Sequence, residues 1–330
     1  MPAISAEGVS KTFSQVVRRS GMGGGLRDMV WPRRRDVHAV SDVSFRIDAG
    51  EAVGYLGPNG AGKSTMIKML TGILVPSAGR VEVLGRDPVA RRIANARDIG
   101  VVFGQRSQLW WDLPVRDSFE LHGRIYRVPP ARLAARQARL VDMLEIGSYL
   151  DRPVRQLSLG QRMRAELAIA LLHEPKILFL DEPTIGLDVV AKEVVRRFLA
   201  EINRTALVTI ILTTHDLKDI ERICPRLIMV DEGKLLYDGR TDALSRHFGA
   251  RRQLTLTFAE DPGDVPLEGA TLLATEGAVR EYLVTDPQRS LVDFITQIAP
   301  RATLTDARMD EPGIEEVIRT YFEARRSGRA

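Results

Sequence analysis

Gly57-Pro58-Asn59-Gly60-Ala61-Gly62-Lys63-Ser64 follows an apolar run, Ala52–Leu56, and leads into helically spaced Met66, Ile67, Leu70, Ile73 and Leu74. A strand, a glycine-rich turn ending in Lys-Ser and a helix leave a chain few architectures. The glycines let backbone N–H groups turn inward around phosphate oxygens, and the helix start adds partial positive charge. In that setting Lys63 is placed to reach β- and γ-phosphates and Ser64 to ligate Mg²⁺. The competing reading, a chance glycine-rich turn, is disfavoured because both flanking elements are present.

The rest of the chain supplies the matching pattern. Gly79–Leu84, Ile99–Phe103, Ile177–Leu180, Val208–Leu212 and Leu227–Val230 read as strands. Arg162–Leu172 and Val189–Asn203 read as helices, as does Pro114–Leu150 with a break at Pro129-Pro130. Strands alternating with helices predict an α/β core. The strand Ile177–Leu180 ends in Asp181-Glu182. A carboxylate there, beside a phosphate loop, serves Mg²⁺, and the next can orient or deprotonate an attacking water. The plainer reading is a capped strand end.

Composition narrows the classes. The longest apolar runs have strand length, so no spanning helix is expected. The first residues, MPAISAEGVSKTF, lack the apolar core of a secretory leader, and a single cysteine, Cys224, excludes a disulfide framework. These features predict a cytosolic, soluble and reduced chain. Net charge is +4. It divides unevenly: residues 1–250 hold 37 Lys+Arg against 29 Asp+Glu, and residues 251–330 hold 10 against 14.

Two segments stand apart. Residues 1–13 and 37–56 read as strands separated by an insertion from about Gln15 to Asp36. It carries six arginines, two aspartates and apolar Leu26, Met29, Val30 and Trp31. It is either a solvated loop extending a hairpin or an amphipathic basic element on a membrane surface or membrane partner. Residues 250–330 carry short alternating strands and two apolar helix faces, one around Leu291 to Ile298 and one around Ile314 to Phe322. They predict a small α+β appendage without catalytic residues.

Leu157-Ser158-Leu159-Gly160-Gln161 closely resembles the LSGGQ signature of ATP-binding-cassette (ABC) ATPases. Gln105, Gly186-Leu187-Asp188 and His215 stand where that family has its Q-loop, D-loop and switch histidine. The resemblance covers about residues 3–245. It is closest to ATPases serving bacterial ABC type-2 permeases, drug-resistance exporters among them, through Val101–Pro114, Leu157–Arg164 and Phe179–Val190.

The resemblance implies a P-loop NTPase fold over residues 1–249: a RecA-like subdomain, an antiparallel β-subdomain and a helical signature subdomain at about 106–165. It implies ATP and Mg²⁺ as cofactors, with Phe13, Gly57, Asn59, Gly60, Ala61, Gly62, Lys63, Ser64, Thr65 and Asp181 at the nucleotide. Ser64, Gln105 and Asp181 would hold the metal. Glu182 is implied as general base, His215 as its partner at the γ-phosphate, and Gln105 as the sensor coupled to the membrane subunit. Ser158, Gly160 and Gln161 would grip the ATP of an opposing protomer, with Asp188 in the D-loop.

Phe13 is the best match to the adenine-stacking aromatic, with plain β-core as the alternative. Trp110 and Trp111 follow the Q-loop, where this family receives its permease. An aromatic pair is also common in cores, and one of the two is expected there. Leu159 departs from the usual glycine. The implied function is a homodimeric, membrane-peripheral ATPase on the cytoplasmic face, powering a type-2 permease of one or two kinds, with export implied by the subgroup. A soluble ABC ATPase acting on nucleic acid or ribosome is the alternative. Only about 95 residues separate Lys63 from Ser158, too few for the long coiled coil of DNA-repair types, and one cassette is present. The tail is expected to regulate or stabilise the ATPase pair, against an inert appendage or an effector-binding unit.

Overall fold

The computed structural model describes residues 2–17, 33–104, 107–214, 216–244, 252–286, 288–310, 317–318 and 321. The chain forms two compact units, Met1–Thr241 and Asp242–Ala330.

In the first unit, β3 (Ala52–Leu56), β5 (Ile99–Phe103), β6 (Ile177–Asp181), β7 (Thr209–Thr213), β8 (Arg226–Asp231) and β9 (Lys234–Arg240) form one sheet. Their order is β5-β6-β7-β3-β8-β9. All pairings are parallel except β8–β9 at the edge. Every residue of β3 and β7 is buried. Strands covered on both faces read as unbroken apolar runs, which is why these were visible in the sequence. β3 lies between β7 and β8, so the chain leaves it at a crevice outside the carboxyl ends of the strands, where open α/β sheets bind ligands.

A second sheet, ordered β2-β1-β4, is antiparallel and contains β1 (Pro2–Val17), β2 (Arg33–Asp48) and β4 (Ala78–Val83). Ile4, Val43 and Ile47 from this sheet share one core with Tyr55, Met66, Phe179 and Ile228. The β1–β2 pairing continues to Val17↔Arg33. Both ends of the basic insertion therefore extend the hairpin. Its middle, with Leu26, Met29, Val30 and Trp31, lies outside the described residues.

Seven helices complete this unit among the described residues: α1 (Lys63–Leu70), α2 (Arg92–Asp98), α3 (Val115–Ile125), α4 (Pro130–Met143), α5 (Leu159–Leu171), α6 (Val189–Ala206) and α7 (Leu217–Ile223). α1 stops at Leu70, short of the expected Leu74, and Ile73 is exposed. α5 starts at Leu159, ahead of the expected Arg162, because Ser158 caps it. Pro129 and Pro130 separate α3 from α4 as expected, with Pro130 at the helix start.

The second unit has a four-stranded antiparallel sheet ordered β11 (Ala270–Glu276), β12 (Val279–Val284), β10 (Gln253–Phe258), β13 (Leu304–Asp310). α8 (Leu291–Ile298) places Phe294 and Ile298 in one core with Leu254, Leu256, Phe258 and Tyr282. Period-two burial in β10 and β12 is the signature of a sheet with one covered face. Most of the expected second helix, Ile314–Phe322, lies outside the described residues; Val317 and Ile318 are buried.

Candidate nucleotide site

The loop leaving β3 closes back onto itself. Gly62 caps α1 with φ 97°, and a Cβ there would stand 2.2 Å from the Ala39 carbonyl oxygen. Only glycine fits that combination of left-handed backbone and close approach. Lys63 is buried, and its Nζ donates to the carbonyls of Gly57 at 2.7 Å and Pro58 at 3.1 Å. Burial pushes the Lys63 ammonium below its ordinary pKa, while the charges of Glu182 and Asp181 oppose that shift. Asn59, Gly60 and Ser64 are exposed at the loop, Ala61 is buried, and Thr65 is half-buried behind it.

β6 and β7 bring the carboxylates to this loop. The Ser64 hydroxyl donates to Asp181 Oδ2 at 3.0 Å, and the Thr213 hydroxyl donates to Asp181 Oδ1 at 2.5 Å. Glu182 has left-handed backbone, φ 57°, and its N–H donates to the Thr213 carbonyl at 2.9 Å. Ser64, Asp181 and Glu182 line a cleft of about 330 Å³ with Phe103, Gly104 and Lys68. Hydroxyl and carboxylate oxygens at such spacing suit Mg²⁺, which prefers few protein oxygens plus phosphate oxygens over a protein cage. Gln105 and His215 lie outside the described residues.

The signature residues do not line that cleft. Ser158 Oγ accepts from the Gln161 N–H at 3.2 Å, and Gln161 Oε1 accepts from the Ser158 N–H at 3.0 Å. This capping box satisfies orphan donors at the start of α5. Gly160 is buried, with its missing Cβ position 2.9 Å from Ala191 Cβ. Asp188 caps α6 by accepting from the Ala191 N–H at 2.8 Å. The departure Leu159 lies against the D-loop: its Cδ2 is 2.9 Å from where a Cβ on Gly186 would be.

Phe13 is half-buried in β1, with the Lys11 ammonium 5.2 Å from its ring centre. Trp110 and Trp111 are 41% and 52% exposed, which corrects the expectation that one is core. Leu109, Val115 and Val154 fill the interior there instead. The Trp110 ring meets His122 edge-on at 5.9 Å, and Arg162 stands 5.8 Å over Trp111.

Sequence reasoning missed Asp219. It is fully buried on α7 and accepts from Arg196 Nε at 2.6 Å, from the Thr214 hydroxyl at 3.0 Å and from the Thr184 hydroxyl. One carboxylate thus ties the loop after Glu182 to the residue preceding His215. Its partners are spread along the sequence, so no local signal marked it.

A phosphate-cradling loop joined through serine to a strand-end aspartate, at the carboxyl edge of a parallel sheet, defines a P-loop nucleotide hydrolase. The ABC transporter family profile matches residues 40–185. The chain is 34% identical over 212 residues to the ABC transporter ATP-binding protein NatA of Bacillus subtilis, covering 64% of this chain and 86% of that one. It is 33% identical over 291 residues to the daunorubicin resistance ATP-binding protein DrrA3 of Streptomyces coeruleorubidus, covering 86% and 91%. The MJ0796 cassette, solved as a dimer in a post-hydrolysis state with ADP and Pi, superposes with a TM-score of 0.59 at 25% identity, over 72% of this chain and 98% of the other. The chain belongs to the ATP-binding subunits of ABC transporters, and its activity is ATP hydrolysis.

Proposed function

We propose that this chain is the motor of an ABC type-2 exporter, working as a head-to-tail homodimer on membrane permease subunits at the cytoplasmic face. The observation that carries this reading is the division of the site. Ser64, Asp181 and Glu182 converge on one cleft beside Lys63, while Ser158, Gly160 and Gln161 sit outside it. A second copy would supply its signature helix start to this cleft, adding N–H groups and partial positive charge at the γ-phosphate. Similarity to the daunorubicin resistance ATPase and, at 39% identity over 206 residues, to the Nod factor export ATP-binding protein I of Rhizobium johnstonii supports export. The Nod factor match covers 62% of this chain and 65% of that one.

In this reading Lys63 binds the β- and γ-phosphates, and Asp181 is held by Ser64 and Thr213 with its oxygens towards the metal position. Mg²⁺, held by Ser64, Asp181 and Gln105, would supply charge neutralisation at the phosphates. Glu182 orients and deprotonates the attacking water, with His215 at the γ-phosphate. Asp188 belongs to the paired interface, and Trp110 and Trp111 receive the permease. The C-terminal unit regulates or stabilises the pair.

A general base contributes about 10²–10⁴-fold in rate. Glu182→Gln should lose most turnover yet retain ATP and accumulate as an ATP-bound dimer in size-exclusion chromatography. Turnover close to that of the parent would remove Glu182 from this role.

A further inference from the structure

One face of α5 holds the segment that carries the exposed tryptophans. Glu166 is 3% exposed. Its Oε1 and Oε2 each accept from the Gln108 N–H at 3.0 Å, and Oε1 also accepts from the Ser107 hydroxyl. One turn earlier on the same face, Arg162 stands over the Trp111 ring. Within the segment the Leu109 N–H donates to Ser107 Oγ at 3.2 Å, and further contacts go to other elements. The Gln108 side chain donates to the Val101 carbonyl of β5, and the Trp110 N–H donates to Ser118 Oγ of α3 at 3.2 Å.

We propose that Glu166 is a positioning residue that links the signature to the permease-facing segment 107–111. α5 begins at the Ser158 cap, and at 1.5 Å per residue Glu166 lies about 12 Å further along the same rigid rod. A displacement of the helix start carries the carboxylate with it. The carboxylate is bonded to the Ser107 hydroxyl and the Gln108 backbone, so the segment must follow or break buried, charge-assisted hydrogen bonds. Burial pushes the Glu166 carboxyl up, and the bonds from Ser107 and Gln108 and the charge of Arg162 draw it down. Glutamine in its place would keep one carbonyl oxygen for two donors and turn an NH₂ towards them.

This inference rests on the nucleotide site described above, and the test separates the two. Trp31→Phe leaves Trp110 and Trp111 as the only tryptophans in the full-length chain. A non-hydrolysable ATP analogue with Mg²⁺ should then shift their emission, while its affinity is measured separately by equilibrium dialysis. Adding Glu166→Gln should leave affinity within about threefold, less than about 1 kcal/mol, and abolish the shift. Ser107→Ala, a milder change that keeps the buried carboxylate, should reduce the shift. Combined with Glu166→Gln it should add nothing, because the Ser107 hydroxyl reaches α5 through that carboxylate. An undiminished shift in both variants, or no shift in a parent that binds the analogue, would overturn the proposal. Failure of the parent to bind any nucleotide would overturn the site itself, and this inference with it.

Discussion

Asp219 shows how much of the site depends on groups that do not touch nucleotide. Its ion pair with Arg196 is fully buried on the Asp219 side, Arg196 also reaches Asp216 at 3.1 Å, and Thr184 and Thr214 complete the shell. Neutralising Asp219 weakens the bonds from two buried hydroxyls and leaves Arg196 held by Asp216 alone, a cost of about 1–3 kcal/mol. Asp219→Asn should therefore lower the urea midpoint markedly and, by releasing two loops, depress ATPase in the fraction that remains folded. Gly186 makes a second case. At φ 71° and with Leu159 Cδ2 beside it, Gly186→Ala meets both backbone strain and a clash. Its cost should be about 1–3 kcal/mol. Leu159→Ala in the same chain should return the steric part, and a thermal double-mutant cycle would show the non-additivity. Lys63, Ser64, Asp181 and Glu182 were readable because each lies in a short contiguous motif. Asp219 was not, because Thr184 is 35 residues away and Arg196 is 23.

At the far end of α5 the chain turns through His173 into β6. The His173 ring stacks on Tyr126 at 3.9 Å, and its Nε2 meets the Ile99 carbonyl at 2.9 Å. Its Nδ1 is buried without a hydrogen-bond partner, and burial pushes the imidazole down to about 4 from an ordinary 6.5. The neutral ring is therefore the folded form. The unfolded chain takes up a proton below about pH 6.5 and the folded chain resists until about 4, so stability falls as pH drops across that window. The loss is at most about 3 kcal/mol. Melting curves from pH 7 to 5 should show a smaller drop for His173→Gln than for the parent. Helix and strand positions around this turn were legible from periodicity. The stacking was not, since Tyr126 and His173 come from separate helical segments brought together by packing.

The whole assembly gives the sharpest test of a shared site. Chains carrying Lys63→Ala and chains carrying Ser158→Arg should each be inactive alone. Mixed, they should recover part of the ATPase, since each heterodimer keeps one intact composite site. No recovery, with heterodimers demonstrated, would count against head-to-tail pairing. Truncation after Gly249 should preserve ATP binding while lowering the dimer population or altering basal turnover. Unchanged dimer population and turnover would leave the second unit without either role.

Local chemistry decided most of what the chain declares about itself. The phosphate loop, the carboxylates at the end of a buried strand and the signature each need their residues contiguous, because backbone N–H groups and neighbouring side chains must converge within one turn. Strands covered on both faces likewise announce themselves as apolar runs. Folding decided the rest. It extended the hairpin into the basic insertion through cross-strand pairing, and it put both tryptophans at the surface because Leu109, Val115 and Val154 already occupied the interior. It also set Glu166 under the segment 107–111 and Asp219 between Thr184 and Thr214. Such contacts join elements separated by many residues, and burial makes them strong, but no pattern along the chain encodes which distant donor a buried carboxylate will meet.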